Sequence, residues 1–421
     1  MNYIGSLSIS YSPPFKIVSK YFISAIVSLM TFNFLLLINY NNLTGHHFQP
    51  KVLSITHIAT LGWITMVILG AMFQLVPVVL KVKLFSELLA EVQFWLYLVG
   101  VILITYNFYN FDSNLSFTLP AILLNLAMYI FTFNIVASLT SIKNWNLIAS
   151  FFVSALFWLV ITAIAGLLLA RNLDHPYIKI DHLQYLKLHA NVAFIGWVAM
   201  VIMGVSLKLI PMFILSHNFT TQFAKGALIL INIGLLGINY IFHYKDISYL
   251  YYVFTPIIVV GLLLYLIQVY VIFKNRIRKK LDVGLKYTRV AYIFFGISIL
   301  IGSFTSFFYY ENIKNFTLVY GFSVLLGFFS TLIVGQMYKI VTFLVWYHKY
   351  SDKVGFQSVP MLKDLFNEKL ACYQMYVMIA GIVLSILFWL INNTFGLLLS
   401  FLLLFISSIM FLINMVKIFR G

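Results

Sequence analysis

Apolar residues in this chain come in long runs rather than in alternation. Twelve runs, at approximately 19–40, 54–80, 88–107, 117–140, 146–170, 188–214, 224–243, 249–273, 290–310, 316–344, 371–392 and 395–417, are separated by short and mostly polar stretches. An α-helix needs ~20 apolar residues to cross a ~30 Å hydrocarbon layer, so each run predicts one spanning helix. The connections leave no room for a separate soluble domain. The first twenty residues lack the layout of a cleavable signal, and the first run is long enough to remain as a helix. The pattern predicts an all-α integral membrane protein, a single domain of twelve transmembrane helices over residues 1–421.

Three of the runs repeat one phrase. From Gly62 the chain reads GWITMVILGAMFQLVP, from Gly196 GWVAMVIMGVSLKLIP, and from Gly327 GFFSTLIVGQMYKIVT. In each, two glycines stand eight residues apart, a polar side chain follows four later (Gln74, Lys208, Lys339), and Pro77, Pro211 or Thr342 closes the phrase. The copies are 134 and 131 residues apart and fall in runs 2, 6 and 10. Self-similarity at a fixed period signals a repeat architecture. It predicts three pseudo-symmetric four-helix units, at about 16–143, 144–274 and 286–418. An even number of helices gives every unit the same orientation, a parallel rather than an inverted repeat. Glycines at i and i+8 lie ~80° apart on a helix, and small residues on one sector let helices approach closely. The three repeat helices are thus expected to pack around a common axis.

Composition agrees with the runs: 62% of residues are hydrophobic and 9% charged. A net charge of +16 suggests nucleic acid only until it is placed along the chain. With a cytoplasmic N-terminus, nineteen of the 27 Lys and Arg fall on the inner side and six on the outer (Lys51, Arg171, Lys179, Lys187, Lys245, Lys314), with Lys208 and Lys339 inside helices. That bias is the positive-inside rule and puts both termini in the cytoplasm. The lipid bilayer is the expected partner and nucleic acid is not. The single cysteine, Cys372, excludes an intrachain disulfide, a CxxC pair and a covalent c-type haem site.

Seven of nine histidines fall on the outer side, among them His57, His182, His189 and His243. An ionisable residue in a spanning segment is a functional-site candidate, and imidazole ligates haem iron and copper. His57 stands five residues before its repeat glycine and His189 seven before its own, so the two are turned ~200° from one another. The third copy has Tyr320 and Phe322 at those places. The plain alternative is that His57 and His189 cap helix starts or bond a backbone carbonyl. Gln74, Lys208 and Lys339 lie near the inner ends of their helices. There a lysine stem snorkels to lipid phosphate, or lines the mouth of a proton or substrate path. All eleven carboxylates are in loops or near helix ends, a poor endowment for a proton pump.

The phrases THIATLGWITMVILGAMFQLVPV, LHANVAFIGWVAMVIMGVSLKLIPMF and GQMYKIVTFLVWYHKY resemble subunit I of the haem-copper oxidase superfamily, in its branch of short stand-alone members. The resemblance covers most of the chain and implies twelve helices in three four-helix arcs, in a prokaryotic inner or plasma membrane. It implies that His57 matches the helix 2 histidine of the low-spin haem, and that His189 lies on the helix giving the first copper ligand. The departures are large. The paired histidines of helix 7 are missing, with His243 nearby, and the histidine–tyrosine copper motif is absent. The His-x-His of helix 10 is here Tyr320-Gly321-Phe322.

A proton-pumping terminal oxidase is therefore rejected. The expected function is a haem-binding membrane protein with at most one b-type haem on His57, and His189 as second ligand or as a site for a second metal such as copper, joined by His182 and His243. Such a protein would handle a diatomic gas such as nitric oxide, or transfer electrons to a redox or membrane-complex partner. The alternative is a non-redox transporter, or a factor for metal or haem delivery and assembly, with Lys208 and Lys339 at inner mouths.

Overall fold

A computed structural model describes residues 11–112, 114–178, 182–242, 244, 249–307 and 314–420, with the backbone alone for residues 307, 314 and 315. It is 84% helical. Among the described residues twelve helices are long and apolar enough to span a membrane: α1 Phe15–Ile38, α2 Pro50–Leu80, α3 Glu87–Asn110, α4 Thr118–Leu139, α5 Leu147–Asp174, α6 His182–Ile214, α7 Gln222–Ile241, α8 Tyr251–Lys274, α9 Val283–Ser306, α10 Phe316–Lys353, α11 Glu368–Leu390 and α12 Thr394–Arg420. Each of the twelve predicted runs falls on one of these helices. Several extend further than the runs do, because Pro50 opens α2 at its first position, as proline can, and polar turns continue α6 and α10.

The helices carrying the repeated phrase are the enclosed ones. The apolar windows of α2, α6 and α10 are 89, 78 and 78% buried, against 33–44% for the other nine. The lipid-facing sides of those nine explain why the chain exposes so much hydrocarbon.

Each enclosed helix changes pitch at the same point. Ile58–Thr65, Val192–Ala199 and Ser323–Ser330 are π-helical, eight residues each. The first glycine of the phrase is the fifth residue in every case. A π segment widens the helix and shifts its hydrogen bonds by one residue; no change of composition marks it. Where the phrase closes in proline the helix ends alike, at left-handed Lys81 (φ 57°) and Leu215 (φ 53°), each four residues past Pro77 or Pro211. Where it closes in Thr342, α10 continues.

By its contacts the chain sorts into two compact units, residues up to Ile23 with Thr65–Lys279, and Ser24–Ile64 with Lys280 onward. In the first, Gly70 abuts Tyr21 on α1, while Gly196 and Gly204 abut Trp158 and Phe151 on α5. In the second, Gly62 abuts Ser28 on α1, and Gly327 and Gly335 abut Phe294 and Tyr287 on α9. Every glycine of the phrase thus faces the helix before its own. The close approach that the glycines allow is to that neighbouring helix. Close approach is needed because the neighbour brings a ring or a serine to the glycine, where a side chain would collide.

The remaining helices pair as α3 with α4, α7 with α8, and α11 with α12. An amide side chain locks each pair. In the first unit Asn134 accepts from Ser86 N (3.0 Å) and donates to Ser86 O (2.8 Å). Gln268 there accepts from Ala224 N (3.1 Å) and donates to Thr220 O (2.8 Å). In the second, Asn414 accepts from Asn367 N (2.9 Å) and donates to Asn367 O (3.2 Å). The first N–H groups of a helix have no intrahelical partner. The amides supply it.

Candidate functional site

His57 belongs to the second unit. It ends the first α-helical segment of α2, directly before the π segment, and is half-buried. Its Nδ1 lies 2.7 Å from Leu53 O, one turn back. A carbonyl only accepts, so Nδ1 carries the proton and the lone pair of the neutral ring is on Nε2. The backbone-bonded arrangement weighed from sequence is therefore present. It is also the arrangement in which a ligating imidazole is held by its other nitrogen.

On α10, Phe322 stands where His57 stands on α2. Its ring packs on Trp389 of α11 at 4.8 Å between centroids and on Phe401 of α12 at 6.3 Å. Trp389 donates to Leu43 O at 2.9 Å. These apolar rings offer no metal ligand from α10.

His189 belongs to the first unit, on α6. Its ring lies over Gly166 of α5; a Cβ added to that glycine would stand 3.1 Å from Cε1. In the second unit Tyr320 lies over Gly302 of α9 in the same way, at 2.7 Å. His189 and Tyr320 occupy the same register, seven residues before their glycines. A ring on a glycine of the preceding helix is thus a packing device common to both copies.

His182, at the start of α6, accepts at Nδ1 from Asn172 Nδ2 (3.0 Å). The orientation of Asn172 is fixed because its Oδ1 accepts from Tyr177 N and Ile178 N (2.9 and 2.8 Å). In the neutral ring Nε2 then carries the proton, so His182 fastens the turn between α5 and α6 and leaves no lone pair for a metal. His243 lies outside the described residues. Among the described residues no three His, Cys, Asp or Glu side chains converge as a metal site would require.

The three polar positions of the phrase differ in role. Gln74 is buried and exchanges hydrogen bonds with Ser12 (2.7 and 3.1 Å), just before α1. Lys339 pairs with Asp282 at 2.6 Å, just before α9. Both tie the end of a repeat helix to the start of the preceding one, rather than reaching to lipid phosphate. Lys208 is buried, 7% exposed. Cys372 is a half-buried free thiol.

Sequence reasoning missed Asn134, Gln268 and Asn414. Their signal was an amide inside an apolar run, recurring at intervals close to the period of the phrase.

No protein-family model matches this sequence, and no curated protein matches it.

Proposed function

We propose that the chain is a haem-binding membrane protein made of three tandem four-helix units, like oxidase subunit I without its binuclear centre. It holds at most one b-type haem through His57, and handles a diatomic gas such as nitric oxide or passes electrons. The observation that carries this reading is the tautomer of His57. Leu53 O takes the Nδ1 proton, so Nε2 is the nitrogen with a lone pair for iron, and the carbonyl holds the ring steady. Phe322, Trp389 and Phe401 would contribute an apolar wall and no ligand. When bound, haem iron held by one histidine supplies an open position for a gas. The described residues do not fit a copper centre, and copper has no part in this reading.

The threefold reading is supported by a pattern of partners. Trp63, one residue after its glycine, donates to Ser330 Oγ of the third phrase at 3.0 Å. Trp197, in the same place, donates to Thr65 Oγ1 of the first at 3.4 Å. The third phrase has Phe328 in the tryptophan's place, and the second has Ala199 in the hydroxyl's. The third phrase thus lacks the donor and the second lacks the acceptor.

The test is a reduced-minus-oxidised spectrum of purified protein, with a pyridine haemochrome. A Soret band lost in His57→Ala supports the reading; a colourless wild type, or a band indifferent to His57→Ala, ends it. A second reading, a non-redox transporter or a metal or haem delivery and assembly factor, is favoured by Lys208, because a lysine buried in a spanning helix is costly and often functional. It requires a colourless protein whose solute uptake or cofactor delivery fails in Lys208→Met.

A further inference from the structure

The seam between α9 and α10 has a constant antiparallel register. Gly327 meets Phe294, Gly302 meets Tyr320, and Gly284 meets Gly335 O and the Lys339 stem. That register sets Ser298 of α9 opposite Ser323 of α10. Ser298 lies between Phe294 and Gly302 at intervals of four, and Ser323 between Tyr320 and Gly327 at intervals of three and four. Both are therefore on the stripes that face one another. They are 4 and 0% exposed, and among the described residues neither Oγ has a hydrogen-bond partner.

A serine in a helix has an easy way out of that situation, a bond to a carbonyl one turn back. Its neighbours on the same two helices take it. Thr288 donates to Gly284 O, Thr305 and Ser306 to Gly302 O, Ser330 to Leu325 O and Thr331 to Leu326 O. Ser298 and Ser323 do not, although leaving a buried hydroxyl unsatisfied is costly. The other copies hold no such pair. At the same register the first has Phe32 and Ile58. The second has Thr162 and Val192, and Thr162 bonds back to Trp158 O. The hydroxyl pair belongs to the third copy alone and is not part of the common scaffold.

We propose that Ser298 and Ser323 form a binding site for one small hydrogen-bonding molecule of the size of water, held between α9 and α10. Two hydroxyls offer it two donors and several acceptor lone pairs, within the two to four partners that a buried water takes. The stacked rings of Phe295 and Phe328 (4.4 Å between centroids) lie further along these two helices, and the next polar contact of the seam, Gln336 Nε2 to Thr288 Oγ1 at 2.9 Å, lies beyond Phe294. Towards Gly327, these rings separate the two serines from that contact. The site does not depend on the haem reading.

The test is the sign of a stability change. Ser298→Ala, Ser323→Ala and the double variant are purified as the full chain in detergent and their melting temperatures compared with wild type. If the hydroxyls share a bound molecule, each single variant melts lower by about 2 °C or more, and the double loses clearly less than the two drops added together, because the first loss already releases the molecule. If the hydroxyls are dry, removing either relieves an unsatisfied group and gains helix propensity, and melting rises. Single variants that melt unchanged or higher, or drops that add fully, overturn the proposal.

Discussion

Trp63 on α2 donates its indole N–H to Ser330 Oγ on α10 at 3.0 Å, and the Ser330 hydroxyl in turn donates to Leu325 O at 2.7 Å. Both residues are buried. The bond joins two enclosed helices in a medium where a lost partner is not replaced by water. Trp63→Phe is expected to cost about 1–3 kcal/mol through the lost bond and smaller ring. Ser330→Ala removes the same bond, so the double variant should lose less than the two singles together. Thermal melts in detergent would measure this, and full additivity would show that the bond stabilises nothing. Trp197→Phe, whose bond to Thr65 is 3.4 Å, should lose less than Trp63→Phe.

Gly335 and Gly321 separate close packing from helix propensity. A Cβ on Gly335 would stand 2.7 Å from Gly284 O, a backbone atom that cannot swing away, whereas one on Gly321 meets nothing within 4 Å. Gly335→Ala should therefore force α9 and α10 apart and cost about 1–3 kcal/mol. Gly321→Ala should be neutral or gain up to about 1 kcal/mol from helix propensity. Expression yield and melting temperature of the two variants give the comparison; equal behaviour would mean that the close approach is not needed.

Asp282 performs two tasks with two oxygens. Oδ2 pairs with Lys339 at 2.6 Å, and Oδ1 accepts from Leu285 N at 3.1 Å in the first turn of α9. Both ends of the ion pair keep some exposure, 17 and 25% of their side chains, so the pair itself is worth about 1 kcal/mol or less. The cap adds about 1 kcal/mol. Asp282→Ala should thus melt lower than Lys339→Met, and Asp282→Asn, which keeps an acceptor, should fall between wild type and Asp282→Ala. The reverse order would place the stabilisation in the lysine instead.

The spanning helices were legible because hydrocarbon thickness sets a length that composition must meet, and the twelve apolar runs meet it. The phrase shared by α2, α6 and α10 was legible as a repeat. The partner of its glycines was not: a small residue announces a close approach without saying to what, and Gly196 and Trp158 are 38 positions apart. The π segments were illegible because a shift of one backbone bond leaves no mark in residue type. Near His57, the sequence offered a histidine at a plausible depth and both readings of it. Only the Leu53 carbonyl assigns the proton. His182, offered as a further metal position beside His189, has its Nδ1 engaged by Asn172, which no sequence pattern announces.

Asn414 makes three bonds, two of them to the start of α11 and one to Tyr338 of α10, and this makes it the most demanding of the three amide locks. Besides Asn367 N and O, its Nδ2 donates to Tyr338 OH at 3.1 Å, and Tyr338 in turn donates to Gln374 Oε1 at 2.8 Å. Asn134 and Gln268 each serve two backbone groups. Leucine keeps the branched shape of asparagine, is bulkier and makes none of its bonds, so substitution strands the backbone N–H at about 1–3 kcal/mol. Asn134→Leu, Gln268→Leu and Asn414→Leu should all lower the melting temperature, Asn414→Leu the furthest, because it also deprives the buried Tyr338 hydroxyl of a donor. If Asn414→Leu melts no lower than Asn134→Leu, the Tyr338 bond contributes nothing, and the Asn367 bracket alone accounts for the asparagine.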